Sequence, residues 1–222
     1  MIFINSFLDT LLNTLLPALL ETLYMVSVST FLAVILGFIA AVGLIITGPK
    51  GLRPKALIYN SLDLVINILR SFPFIILLIS IVPLTKLIVG TSIGTAAAIV
   101  PLTIGAAPFA ARIIESALLE VDYGIIEAAK SFGAKTYQII FKVMVKEAMP
   151  SIVLGVTLLI INIIGYSAMA GAVGAGGLGN VAITHGYYRF EQDILIYTVI
   201  ILIIVVQIIQ ALGNLLYRKM IK

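Results

Sequence analysis

Four stretches of this sequence carry no Asp, Glu, Lys or Arg: 22–49, 87–111, 148–188 and 194–217. Each is longer than the roughly 20 apolar residues a helix needs to cross the hydrocarbon of a bilayer. A water-soluble fold cannot hide four such runs in a chain of this length. Only 11% of the residues are charged and 61% are hydrophobic, against roughly 25% charged in a soluble domain. Soluble globular and disordered classes are therefore excluded. With no cysteine in the chain, disulfide scaffolds, thiolate metal sites and cysteine nucleophiles are excluded as well.

The runs predict an all-α integral membrane protein. The second half of the stretch between Glu147 and Arg189 is glycine-rich and polar, so only its first half reads as a helix. A further crossing fits between Lys55 and Lys86, interrupted by Asp63 and Arg70. Five spans result, near 22–47, 58–84, 90–111, 149–173 and 194–217. Residues 1–20 carry one charge, Asp9, and their apolar residues recur at helical spacing. They predict a short helix at the membrane surface, ending before Pro17, and not a cleaved signal peptide, because no basic residue precedes Lys50.

Lysine and arginine placement sets the orientation. With the N-terminus outside, the inner segments 48–57, 112–148 and 218–222 hold eleven basic residues, against Lys86 and Arg189 outside. The positive-inside rule then predicts N-out, C-in. Asp63 and Arg70 stand two turns apart, which predicts a structural ion pair between them or an Arg70 near the inner interface.

The inner segment 112–148 is neither a long loop nor a span. Asp122 reads as the N-cap of a helix containing Glu127, and Gly133 as its left-handed stop. A second helix starts near Thr136, with Lys135, Gln138, Lys142 and Lys146 as one polar stripe. This basic helix–turn–helix suits either an anionic lipid surface or a cytoplasmic partner.

Glu127-Ala128-Ala129, three residues, then Gly133 resembles the EAA loop of permease subunits of ATP-binding-cassette importers. The family's I-x-L-P continuation is here Val143-Met144-Val145-Lys146, with lysine in place of proline, which leaves Pro150 to end the second helix. Arg70-Ser71-Phe72-Pro73-Phe74 is similar to the R-x-x-P segment of such permeases. Residues 165–179, from Gly165-Tyr166-Ser167-Ala168-Met169 to Gly176-Gly177-Leu178-Gly179, resemble the corresponding segment of methionine importer permeases.

The resemblance covers nearly the whole chain. It implies one transmembrane permease domain over residues 1–222 in a bacterial inner membrane. It implies a homodimer of this chain, two cytoplasmic ATP-binding subunits and an extracytoplasmic substrate-binding lipoprotein, with membrane lipid around them and no nucleic acid. It implies that Glu127, Ala128, Ala129, Gly133, Thr136 and Lys142 belong to the loop that docks the ATPase. Asn162, Tyr166, Ser167 and Met169 fall on the fourth span. Interhelical hydrogen bonding and packing account for them on general grounds; the resemblance implies the translocation path, with Met169 at an outer gate.

The sequence offers no sign of an enzyme. Gly174 to Gly179 satisfies G-x-G-x-x-G, but it follows a membrane helix and not a strand, so it reads as a loop or a close backbone approach. No G-x-x-x-x-G-K-[ST] occurs, so no cofactor is expected on this chain and ATP is expected on a partner. His185 stands alone in the sequence, and no catalytic or metal-ligating set is expected. A small secondary transporter or channel not coupled to ATP is the alternative, and a membrane-anchored assembly subunit a third; neither needs an EAA loop.

Overall fold

The computed structural model describes residues 10–221, and among them every regular element is helical. Helix α1 spans Leu11–Thr47 and α2 spans Ala56–Ser71. Helices α3 (Phe74–Ser80) and α4 (Val82–Val89) are short. Helix α5 covers Thr95–Leu119, α6 Tyr123–Ser131 and α7 Thr136–Gly171. Helix α8 (Gly177–Val181) runs into a π-helical stretch, Ala182–Tyr188, and α9 covers Gln192–Ile221. Four helices (α1, α5, α7 and α9) are long and apolar enough to cross a membrane, and five spans result if the bent pair α2 and α3 is one.

The expected boundaries shift in four places, each for a local reason. The expected span 58–84 is not one helix. Pro73 has no N–H to give and disfavours helical geometry at Phe72, so α2 stops at Ser71 and α3 leaves at 100°. The expected span 90–111 becomes Thr95–Leu119. Gly90 and Gly94, at φ +83° and +97°, end α4 and delay α5. The helix then carries Arg112 and Glu115 along as a bonded pair.

At the first helix, no break occurs at Pro17. The preceding turn Leu11–Leu15 is π-helical, with Leu16 N–H donating to Leu11 O, so the ladder is already rearranged where proline withholds its donor. The remainder of the expected surface helix, residues 1–9, lies outside the described residues, as does Lys222. Pro150, finally, does not end the second platform helix, which continues into the fourth span as α7. Ile139, Ile140, Met144 and Ala148 are all buried along it. That burial outweighs the roughly 3 kcal/mol a mid-helix proline costs.

The chain divides into two compact units. The first comprises residues up to Phe31, 72–106 and 160–209. Its core joins Leu15 and Ala18 of α1 to Leu178 and Val181 of α8, with Ile194, Tyr197 and Ile201 of α9 packed on them. Gly105 lies under Phe74 and Leu77; a Cβ there would stand 3.2 Å from either side chain.

The second unit comprises residues 32–71, 107–159 and those from Gln210 on. Its core gathers Ala41 and Ile45 of α1, Ile114 and Leu118 of α5, Ile126 of α6 and Ile139, Ile140 and Met144 of α7. Alanines let the backbones close up. At Gly37 even a methyl would come within 2.6 Å of the Ala110 Cβ. Small residues thus serve the packing between helices that drives association in lipid.

Candidate functional site

The helix–turn–helix at 122–138 is built by local capping. Asp122 Oδ1 accepts from Gly124 N–H at 2.7 Å and starts α6. The helix closes as Phe132 N–H donates to Ala128 O and Ala134 N–H to Ala129 O. That closure requires the left-handed conformation of Gly133, φ +75°, which glycine alone adopts without strain. Lys135 N–H donates to Gln138 Oε1 at 2.8 Å, which pins the first turn of α7.

Burial sorts the platform into two faces. Ile126, Ile139, Ile140 and Met144 point into the core of their unit. Glu127, Ala128, Gly133 and Lys142 are exposed, while Ala129 and Thr136 are half-buried. Phe132, which the sequence reading passed over, is 90% exposed at the tip of the turn. A bare phenyl ring beside an exposed carboxylate and a glycine turn leaves apolar surface open to a partner. Its signal in the sequence was a large apolar residue directly before the C-cap glycine. A cavity of about 700 Å³ opens beside the turn, lined by Arg53, Lys135, Tyr137 and Phe141 among others.

The four residues expected at the path do not share one environment. Asn162 is exposed on α7, and Met169, two turns on, is 49% exposed. Gly165 lies on the same exposed face. Ser167 is buried and donates to Ile164 O at 2.7 Å. Tyr166 is half-buried and stacks on Phe74, with ring centroids 4.5 Å apart and planes 7° apart. A primary amide on the open face of an apolar helix is costly against hydrocarbon. The Asn162–Met169 face therefore suits water or another protein chain.

The glycine-rich segment is an ordered cap. Gly174, Gly176 and Gly177 take φ of +89°, +83° and +74°. Gly177 N–H donates to Glu21 Oε2 at 2.6 Å and Leu178 N–H to Thr22 Oγ1 at 2.9 Å. Two side chains of α1 thus satisfy the first free donors of α8. Gly94 N–H donates to Gly174 O at 2.9 Å. Of the two sequence alternatives, the close backbone approach is the one realised.

The expected Asp63–Arg70 pair is not formed. Asp63 instead pairs with Arg112, whose second nitrogen donates to Glu115 at 2.7 Å. Asn67 joins both, accepting from Arg112 and donating to Asp63 at 3.0 Å each. Their spacing put Asp63 and Arg70 on one face, but α5 brings a nearer cation. Arg70 lies over the Phe109 ring at 5.9 Å. His185 Nδ1 stands 3.2 Å from Glu191 Oε2, and among the described residues no group of three potential ligands gathers to hold a metal.

Known proteins resemble this chain in sequence and fold. A family model described as the inner membrane component of binding-protein-dependent transport systems matches residues 33–222. The probable D-methionine transport system permease protein MetI of Vibrio cholerae is 52% identical over 199 residues, 90% of this chain and 88% of that one. The methionine import system permease protein MetP of Bacillus subtilis is 46% identical over 173 residues, 78% of each chain. A chain of the MetNI methionine ABC transporter, solved in inward-facing conformations, is 46% identical. It superposes with a TM-score of 0.89 over 90% of this chain and 93% of its own. An amino acid ABC transporter at 20% identity, with a TM-score of 0.75 over 92% of both chains, shares the fold.

Proposed function

Since the chain belongs to the family of binding-protein-dependent transport system inner membrane components, we propose that it is the permease subunit of an ATP-driven methionine importer. Two copies form the path across a bacterial inner membrane, N-terminus out, with five spans each. Two cytoplasmic ATP-binding subunits bind and hydrolyse the ATP, and this chain holds no cofactor of its own. A substrate-binding lipoprotein delivers methionine from outside. The observation that carries the reading is the exposed, capped turn from Glu127 to Gly133, in a chain about half identical to methionine permeases.

The mechanism is alternating access. ATP closes the two ATPase subunits; the turn, seated in a groove of one of them, moves with it, and the spans pass from inward-open to outward-open. Each ligand shifts that equilibrium only by its differential affinity for the two states. Asn162, Tyr166, Ser167 and Met169 belong to the path, with Met169 at its outer gate. Phe132 supplies the apolar anchor that Glu127, Ala128 and Lys142 surround.

The test is purification of the tagged chain from its host in mild detergent, with methionine uptake measured in parallel. A co-purifying ATPase, and uptake lost on deletion of the chain, are expected. A solitary chain that transports in liposomes without ATP would overturn the reading in favour of a secondary transporter.

A further inference from the structure

The turn that leads into α9 carries three rings that its own chain hardly covers. Tyr187, Tyr188 and Phe190 are 68%, 67% and 83% exposed. The two tyrosine rings lean on each other, with centroids 5.4 Å apart. Phe190 is also the single non-glycine at positive φ, +58°, among the described residues. That conformation is disfavoured for a bulky side chain, and it persists only where the surrounding structure imposes it.

The surroundings here are firm. The π-helical stretch Ala182–Tyr188 closes as Glu191 N–H donates to His185 O at 3.1 Å and Gln192 N–H to Phe190 O at 3.0 Å. His185 Nδ1 stands 3.2 Å from Glu191 Oε2 across the same turn. Gly186 lies tight against α9: a Cβ there would come within 2.8 Å of the Leu195 Cβ. Ile194 and Tyr197 in turn pack on Leu178 and Val181. A braced turn within one compact unit, and not a loose loop, therefore holds the rings out.

The neighbouring sequence fixes what covers them. Phe190 precedes by four residues the run 194–217, which holds no Asp, Glu, Lys or Arg. Glu191 and Asp193 are costly in hydrocarbon, whereas the run behind them belongs there. The edge of the acyl layer then falls near Ile194. Four residues rise about 6 Å in a helix, and the headgroup layer is roughly 5–7 Å deep on each side. The three rings stand within that layer. Water would leave them as a bare apolar patch, and hydrocarbon would strand two hydroxyls and the exposed Arg189. The layer between answers both, with the rings at the acyl edge and the polar tips among glycerol and phosphate.

We propose that Tyr187–Phe190 is an interfacial lipid anchor, seated at the headgroup–acyl boundary of the leaflet where α9 enters. It fixes the depth of α9 at that end. Because α8 runs directly into the π-helical stretch, it fixes the depth of the glycine-rich cap as well. The inference needs α9 to cross a bilayer, and it holds whichever way the chain is oriented and whatever it transports.

The chain has no tryptophan, so one introduced indole reports alone. The full chain is placed in nanodiscs whose lipids are brominated either on the acyl carbons near the headgroup or near the chain ends. Bromine quenches the tryptophan it touches. Tyr188→Trp and Phe190→Trp each replace one exposed ring by another. Ile203→Trp, eleven residues beyond Gln192 and 55% exposed, is the mid-membrane reference. At both turn positions the shallow bromines are expected to remove more emission than the deep ones, and at Ile203→Trp the order is expected to reverse. Deep bromines quenching the turn positions as strongly as shallow ones would overturn the anchor. So would no loss from either at the turn while Ile203→Trp responds, since the rings then stand in water. Emission blind to bromine but shifted to the blue by adding the substrate-binding lipoprotein would overturn it in favour of a protein contact.

Discussion

Asp63 on α2 pairs with Arg112, 49 positions along the chain on α5, and not with Arg70 on its own helix. The guanidinium is shared with Glu115 and Asn67, so three groups depend on one cation. Arg112→Gln leaves two carboxylates facing each other and is expected to destabilise the chain by about 2–4 kcal/mol, as loss of a partly buried partner does. Arg70→Gln breaks no ion pair and is expected to lower stability by well under half as much. Thermal unfolding in detergent compares the two, and equal losses would contradict the pairing.

The turn at Gly133 separates geometry from contact. Gly133→Val places a β-branched residue at φ +75°, which is strongly disfavoured, while Gly133→Asn is tolerated. The ATPase is expected to co-purify with the asparagine variant and not with the valine one. Phe132→Ala leaves the turn intact, since the ring is 90% exposed. It is expected to weaken ATPase binding by about 2 kcal/mol, roughly thirty-fold, without moving the unfolding temperature. Full retention of the ATPase would remove Phe132 as the anchor.

Glu21 fastens the glycine-rich cap from far along the chain, by its bond to Gly177 N–H. Glu21→Ala frees that N–H, at a cost of about 1–2 kcal/mol of local stability. Hydrogen exchange at Gly177 and Leu178 reads this directly. Faster exchange at these two amides, with α9 unchanged, is the expected pattern, and unaltered protection at Gly177 speaks against the cap.

The Tyr166–Phe74 stack is made by rings and not by the phenol oxygen. Tyr166→Phe is therefore expected to change stability by less than about 0.5 kcal/mol, and Tyr166→Ala to cost about 3 kcal/mol. Asn162→Leu lies on an exposed face and is expected to keep stability while cutting methionine uptake. Uptake equal to that of the unmodified chain would take Asn162 out of the path.

Much of this was legible because membrane crossing depends on composition over long windows. The capping of α6 was legible too, since Asp122 and Gly133 act within one turn of themselves. Pairings across the chain were not. Nothing near Asp63 in sequence distinguishes Arg70 from Arg112 as its partner, and nothing near Gly177 points to Glu21. Pro17 and Pro150 read as breaks because propensity is local, whereas the π-helical turn and the buried face that overrule them depend on neighbours. Pro73, with no such support, does break its helix, although the expected span 58–84 ran through it.

Helix α9 packs on the core of the first unit through Ile194, Tyr197 and Ile201, yet only 6% of its most apolar window is buried. Ile196, Val199, Ile203, Ile208 and Leu212 stand open along it. In water such surface would be ruinous; in hydrocarbon it is neutral, so this open face suits acyl chains or a neighbouring helix. Its 30 residues rise about 45 Å, against roughly 30 Å of hydrocarbon, so it tilts or protrudes. Arg218 and Lys219 then hold its last turn among the headgroups. Bilayer thickness thus enters the seating of this helix as a term of its own, beside the side chains that pack it.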